Sequence, residues 1–489
     1  MSRSVLWRKP REIVKRIVIK GDLVLQTAAH LGSGDNPLFG MVDLLLLRDP
    51  LENRPFLPGS SIAGALRNYL CEREFGFRQN DSNHSLAEKL FGMTKNNEAD
   101  KDGLQSPLIV DDSLADAGTA IELRDGVQIS PDTRTAKEGH KFDLEVLAAG
   151  TVFPLTFELL LEKNQLESLP NALALALQGL QNGEIGLGAR KQRGLGQVKV
   201  SSWQVWEFDV TTPHGLLYWL EPSAASAPKT GPDIGTLLAA PVSSDAREYF
   251  KMGVTFALDG AMLIRSNFDY DKNGPDVVHL KTIQPDGSKK PIVPGSSFAG
   301  VIRHRALKIA NTLNLPNGQI LVNQMFGCSE KDPHCEDDTG KPIAKASRVR
   351  VSDAVIENTL SRVQNRIRID RFTGGTHDTA LFNEQPVFGR HNSTLNLSLT
   401  LLNPKDEEIG LLLQVLKDLW TGDLPIGGSS SVGRGYLRGI QADLFYKEKS
   451  REQEWSISQP QPDKPLQVTG NSRDALEKFA EALLKGASA

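Results

Sequence analysis

Two glycine-rich stretches carry the densest chemistry in the sequence, GEIGLGARKQRGLGQVKV at 183–200 and LPIGGSSSVGRGYLRG at 424–439. Glycines let a backbone approach a ligand closely and expose its N–H groups, while Arg190, Lys191, Arg193 and Arg434 add positive charge. That combination suits a polyphosphate or an RNA backbone; the plain alternative is a tight turn with solvated charges. A nucleotide-cofactor loop fits poorly, because each stretch follows a predicted helix and precedes a strand, and neither contains Gly-Lys-Ser/Thr. Two Pro-Gly-Ser-Ser segments offer Ser60, Ser61, Ser296 and Ser297 at predicted helix starts, a favourable place for phosphate. Ser60 or Ser61 is the expected N-cap of the first such helix. Arg67 and Arg303 follow two turns later, placed either to contact phosphate or to pair with a carboxylate of their own domain. His304, Cys328, His334 and Cys335 supply two imidazoles and two thiols, a donor set for tetrahedral Zn²⁺. The alternative is a solvent loop with two free thiols.

The elements that must position these groups come in duplicate. PFLPGSSIAGALR (55–67) and PIVPGSSFAGVIR (291–303) agree at eight of thirteen positions. The register persists, with Phe91-Gly92 answering Phe326-Gly327 and Gly188 answering Gly428. Each copy reads as strand, helix, strands, helix, strand, with the Gly-rich loop before the final strand. That is the split βαβ, ferredoxin-like (RRM-like) pattern, so the class is α+β. The expected domains are 1–220 and 236–446, joined by a linker at 221–235. A polar stretch (447–470) leads to an amphipathic helix at 471–486, docked on its own domain or on a neighbouring subunit.

A chain of 489 residues accommodates two such domains, and three cysteines cannot form a disulfide framework, which favours a reducing cytoplasm. No apolar run is long enough for a membrane span. The net charge of −4 argues against a protein coated in nucleic acid, although residues 1–20 hold seven Lys or Arg against one acid. The balance suits a subunit that grips RNA jointly with others.

HLGSGDNPLFGMVDLLLLRDPLENRPFLPGSSIAGALR, with the helix–glycine-loop–strand unit that follows, resembles the RAMP (repeat-associated mysterious protein) superfamily. More closely it resembles the backbone subunits of type III CRISPR effector complexes. KPIVPGSSFAGVIRHRA, RIDRFTGGT and IGGSSSVGRG repeat the resemblance, so the chain looks like a tandem fusion of two backbone units. The resemblance implies partners: a CRISPR guide RNA, a complementary target RNA, and other backbone, small and large polymerase-like subunits. It implies thumb-like hairpins wedged between bases about every six nucleotides, here 127–153 with Arg134 and Phe142 at its tip region, and 365–388 with Arg371 and Phe382. It also implies an Asp before Pro-Gly-Ser-Ser that cuts target RNA with Mg²⁺ or Mn²⁺. Asp43 matches that position, while Asp49 reads as structural. Aligning MVDLLLLR with GPDVVHLK gives Asp276 in the second copy, with Asp269 and Asp271 as competitors. One carboxylate suffices, because Mg²⁺ keeps several waters and takes substrate phosphate as a ligand. Two other functions stay open: a non-catalytic RNA-binding scaffold, and a metal-independent nuclease processing CRISPR RNA precursors, for which His30 is the candidate.

Overall fold

The computed structural model describes residues 11–34, 42–79, 85–93, 105–130, 133, 135–221, 227–240, 245–266, 274–332, 334–336, 340–377, 380–449, 451–459 and 464–488. In the first unit, strand β1 (Ile13–Leu25) leads to helix α1 (Gly59–Phe75), then β2 (Leu108–Val110) and a long hairpin, β3 (Ile121–Ile129) and β4 (Ala136–Leu147). Strand β5 (Val152–Glu162), helix α2 (Ser168–Gln181) and β6 (Val198–Asp209) complete it. The sheet runs β2-β5-β1-β6, all antiparallel, which is the ferredoxin-like order.

The second unit repeats this arrangement with β7 (Tyr249–Asp259), α3 (Gly295–Thr312), β8 (Val349–Val351), β9 (Phe382–Gln385), β10 (Thr394–Leu402), α4 (Asp406–Trp420) and β11 (Tyr436–Glu448). Its sheet runs β8-β10-β7-β11 and then continues through β12 (Arg451–Ser458) and β13 (Gln467–Gly470). The expected polar linker at 447–470 is thus largely sheet. Its hydrophobic positions explain this, since Trp455 is buried where β12 crosses the core edge. The 221–235 linker is also partly structured: Lys229–Gly231 pairs with β6, and Ile234 is buried against the first core. The last helix, α5 (Arg473–Ser488), docks on its own unit, where Gly410 on α4 leaves room for the Phe479 carbonyl.

Alternation builds both cores. Along β5, Phe153, Leu155, Phe157, Leu159 and Leu161 all point inward, and Leu395, Leu397, Leu399 and Leu401 do the same along β10. Each sheet carries its two helices on that inner face, and each unit has its own main hydrophobic cluster.

The first Pro-Gly-Ser-Ser helix begins two or three residues earlier than a Ser60 or Ser61 cap would place it, and the second begins at the equivalent glycine. Pro58 and Pro294 occupy the N-cap position and offer no side-chain cap. The cap comes from afar: Gly59 N–H donates to Asp112 at 2.7 Å, and Gly295 N–H donates to Asp353 at 2.8 Å. Only glycine fits here, since a Cβ at Gly59 would sit 2.2 Å from the Val110 carbonyl oxygen, and one at Gly295 would sit 2.3 Å from that of Val351.

Candidate nucleic-acid interface and carboxylate sites

Asp43 and Asp276 are both exposed, each on the loop that enters its Pro-Gly-Ser-Ser hairpin. The Asp43 carboxylate accepts the Asp143 N–H at 2.8 Å, and the Asp276 carboxylate accepts the Asn383 N–H at 2.7 Å. The next residue pairs in parallel with the same thumb strand in both cases, Leu44 with Leu144 and Val277 with Glu384. The two aspartates therefore occupy equivalent positions, as the sequence alignment expected. Asp269 and Asp271 lie outside the described residues. Asp49 caps its own turn, accepting from Leu51 N and Glu52 N.

In each carboxylate only one oxygen takes a backbone hydrogen bond, and the other makes none among the described residues. No group of three or more His, Cys, Asp or Glu side chains that could hold a metal occurs among the described residues. Each aspartate could thus be a single protein ligand to a hard divalent cation that draws its other ligands from water and phosphate. The zinc set does not assemble. Cys328 and Cys335 form a disulfide with Cα atoms 5.9 Å apart, so neither sulfur is free to ligate, and His334 is exposed while His304 lies on α3. Two successive turns between them, closed by Asp332 N–H to the Ser329 carbonyl and Cys335 N–H to the Asp332 carbonyl, bring the two sulfurs together, which the spacing alone does not reveal.

The glycine loops match residue by residue through their backbone angles. Arg190 and Ser429 both have positive φ, a single 3₁₀ turn follows each, and Gly194 and Gly433 then have positive φ. A Cβ at Gly196 or at Gly435 would lie 1.9 Å from an equivalent carbonyl oxygen, that of Leu187 or of Ile426. Gly188 then answers Gly427 rather than Gly428, since both have positive φ and abut the carbonyls of His30 and Leu263. On this register Arg434 replaces Leu195, not one of the loop cations. It is 4% exposed and donates to Glu384 at 2.7 Å and Gln364 at 2.8 Å, so its charge holds the thumb and is not offered to RNA. Arg366 also pairs with Glu384. Burial opposes the ionisation of Glu384, but the two guanidiniums hold its pKa below the ordinary range.

Arg67 donates to the Gly92 carbonyl and Arg303 to the Asn323 side chain, both at 2.9 Å, tying each helix to the short helix behind it. Ser60, Ser61 and Ser296 are exposed on the first turns and Ser297 is half-buried. The helix ends they border already hold the Asp112 and Asp353 carboxylates, which weakens the case for a phosphate there. His30 is buried, its ring bonded to the Glu145 carbonyl at 2.7 Å.

Arg190 lies 4.2 Å over the Phe142 ring, and Lys191 and Arg193 are exposed. Phe142 is not at the hairpin tip. It folds across Gly126 on the facing strand, where a Cβ would collide with its ring. The exposed apolar residues toward that tip are Val127 and Ile129, 47% and 53% exposed. The second thumb presents Ile369, Phe372 and Leu381, with Phe372 88% exposed and Arg371 over its ring. Arg134 lies outside the described residues.

A crevice of about 1290 Å³ runs from Leu44 and His30 past Ser61, Gly64 and Asn68 of α1 to the sheet of the second unit. Lys191 of the first unit and Lys251 and Arg350 of the second line the same crevice, with Glu72 and Glu184 beside them. Burial pushes the pKa of all three down, and Arg350 adds to the effect on Lys191. The Arg350 Nε is buried without a hydrogen bond among the described residues. The half-buried Arg350 with its orphaned Nε, together with the exposed Lys191 and Lys251, makes a cationic lining that invites an anion. Lys251 and Arg350 lie on strands β7 and β8, so no motif in the sequence marks them; only the meeting of the two units does.

The comparisons with known proteins fit this duplication. A family model described as the RAMP superfamily matches residues 22–199 and again 253–438. The chain is similar to the CRISPR system Cms endoribonuclease Csm3 of Mycobacterium tuberculosis (strain ATCC 25618 / H37Rv), at 28% identity over 210 residues, covering 38% of this chain and 87% of that protein. It is also similar to the protein of the same name from Streptococcus thermophilus, at 27% identity over 221 residues, covering 41% of this chain and 96% of that one. Each of these relatives is nearly spanned while less than half of this chain is used.

Proposed function

The chain belongs to the RAMP superfamily, with one member domain in each half, and from that premise we propose that it is a double backbone subunit of a type III CRISPR ribonucleoprotein in the cytoplasm. It binds guide RNA jointly with other subunits and cleaves complementary target RNA at two places, one backbone step apart, through Asp43 and Asp276. The observation that carries this reading is the matched setting of the two exposed carboxylates, each fixed to its thumb strand by a backbone N–H. The endoribonuclease names of the similar proteins support it. No helix among the described residues is long and apolar enough to cross a membrane.

Asp43 and Asp276 would hold Mg²⁺ or Mn²⁺, which supplies charge stabilisation at the scissile phosphate. The protein's share is positional. The Asp143 and Asn383 N–H groups hold one carboxylate oxygen each and leave the other toward the ion. Lys191, Lys251 and Arg350 grip backbone phosphates in the crevice. Exposed Val127 and Ile129 on one thumb, and Phe372 on the other, part stacked bases. RNA brings its own 2′-OH nucleophile, so bending the strand in line is the remaining requirement.

Incubating the assembled complex with labelled target RNA tests this. Cleavage should stop in EDTA and return with Mg²⁺. Cutting that persists in EDTA would overturn the metal-dependent reading. An uncut target in Mg²⁺ would leave the chain as an RNA-binding scaffold.

A further inference from the structure

The two carboxylate sites share a backbone setting but not their surroundings, and the hairpin registers match their neighbours one to one. The Asp143 N–H serves Asp43 as the Asn383 N–H serves Asp276, so Asp143 and Asn383 are counterparts. Asp143 faces Asp125 across its hairpin and Asn383 faces Asn365 across the other, which makes Asp125 and Asn365 counterparts too. Two residues further along stand Glu145 and Gln385, and two residues before stand Lys141 and Leu381. Arg48 and Lys281 each follow their aspartate by five residues.

Where the first unit has carboxylates the second has amides of the same shape: Asp125, Asp143 and Glu145 against Asn365, Asn383 and Gln385. Glu145 is occupied, by Arg48 at 3.3 Å and by the Leu46 N–H at 3.1 Å. Asp125 and Asp143 stand directly opposite each other, and like charges in that position repel. Exposed Lys141, at 3.8 Å and 3.7 Å, sets one positive charge against the two. One oxygen of Asp143 is buried and accepts no hydrogen bond among the described residues. Surplus negative charge therefore sits at the residue that anchors Asp43.

The fold does not need that charge. Around Asp276 the same hairpin register and the same backbone hydrogen bond form with Asn365 and Asn383 in place. Exchanging a carboxyl for its amide keeps volume and a carbonyl acceptor and changes chiefly the charge. A repelling pair kept in one copy and neutral in the other thus has its compensation outside the protein. A divalent cation held by Asp43 supplies it.

We propose that the two metal sites are graded: Asp125 and Asp143 give the Asp43 site a higher affinity for Mg²⁺ or Mn²⁺ than the Asp276 site has, so that the first-unit cut needs less metal. The inference rests on the metal-dependent reading of Asp43 and Asp276 given above. Asp43 is the ligand, and the Asp125–Asp143 pair contributes its field. One unit of charge several ångströms from a divalent ion changes its affinity by about tenfold, even in a medium as polar as water. The two aspartates less Lys141 amount to one such unit. Added salt should narrow the gap.

The test uses the assembled complex and a target RNA with 2′-deoxynucleotides at both cut positions, so that metal binds without turnover. Bound Mn²⁺ is counted by electron paramagnetic resonance, with the Asp43→Ala, Asp276→Ala double variant as the blank. Complex carrying Asp276→Ala, which keeps the first site, should bind Mn²⁺ about tenfold more tightly than complex carrying Asp43→Ala, which keeps the second. Asp125→Asn with Asp143→Asn should bring the first site down to the level of the second. Asn365→Asp with Asn383→Asp should raise the second site by about tenfold, a gain that misfolding cannot produce. On cleavable target, the first-unit product should appear at about tenfold lower Mg²⁺ than the second-unit product. Equal affinities, a tighter second site, or exchanges that leave both affinities unchanged overturn the proposal. No Mn²⁺ above the blank at either site overturns it as well. Graded Mn²⁺ binding on a complex that never cuts its target upholds the proposal and removes the nuclease reading alone.

Discussion

Equivalent residues in the two units solve the same packing problem differently, and the differences are measurable. Where the first unit packs Leu144 with Leu195, the second has Glu384 with Arg434, both nearly inaccessible. Breaking that pair with Arg434→Leu should cost about 1–3 kcal/mol in a denaturant melt, because the buried Glu384 carboxylate is left with Arg366 as its one remaining guanidinium partner among the described residues. Replacing both by leucine, as in the first unit, should be close to neutral. His279 occupies the place of Leu46 and bonds Ile264 N–H and the Ile292 carbonyl through its two ring nitrogens. Burial pushes its pKa down to about 4. The unfolded chain then takes up a proton that the folded chain refuses, so stability should fall as pH drops from about 6.5 toward 4, by about 3 kcal/mol. His279→Leu should flatten that slope. The equivalence of Asp43 and Asp276 was legible in the sequence because MVDLLLLR aligns with GPDVVHLK. Arg434 was misread because its charge is visible in the sequence but the partner that consumes it, Glu384, lies fifty residues away.

At the scale of elements, strands and helices were readable from alternation and periodicity, and their ferredoxin-like order followed from the sequence of types. The helix caps were not. A local serine is the usual N-cap, but here Asp112 and Asp353 arrive from the end of a neighbouring strand, which no short window reveals. Asp112→Ala should cost about 0.5–2 kcal/mol, the loss of a cap. Asp353→Ala should cost more, since Arg124, only 7% exposed, loses its partner too. Paired chemical melts of the two variants check this; equal losses would contradict the bridging role of Asp353. The hairpin expected at 127–153 runs instead from Ile121 to Leu147, with Val152 and Phe153 already in the main sheet, and Phe142 lies across Gly126 on the facing strand.

The whole molecule is two copies of one unit meeting face to back, and its cationic crevice exists only at that meeting. Lys191, Lys251 and Arg350 are scattered in the sequence and belong to different units, which is why the net charge of −4 concealed them. Arg350→Ala with Lys251→Ala should weaken guide binding and lessen its salt dependence, measured by titration at several salt concentrations. The central claim is that two equivalent carboxylates each make one cut. The most direct measurement is product mapping on end-labelled target RNA, using complexes assembled with Asp43→Ala or Asp276→Ala. Each variant should lose one product and keep the other, one backbone step away; both products surviving either change would contradict the account.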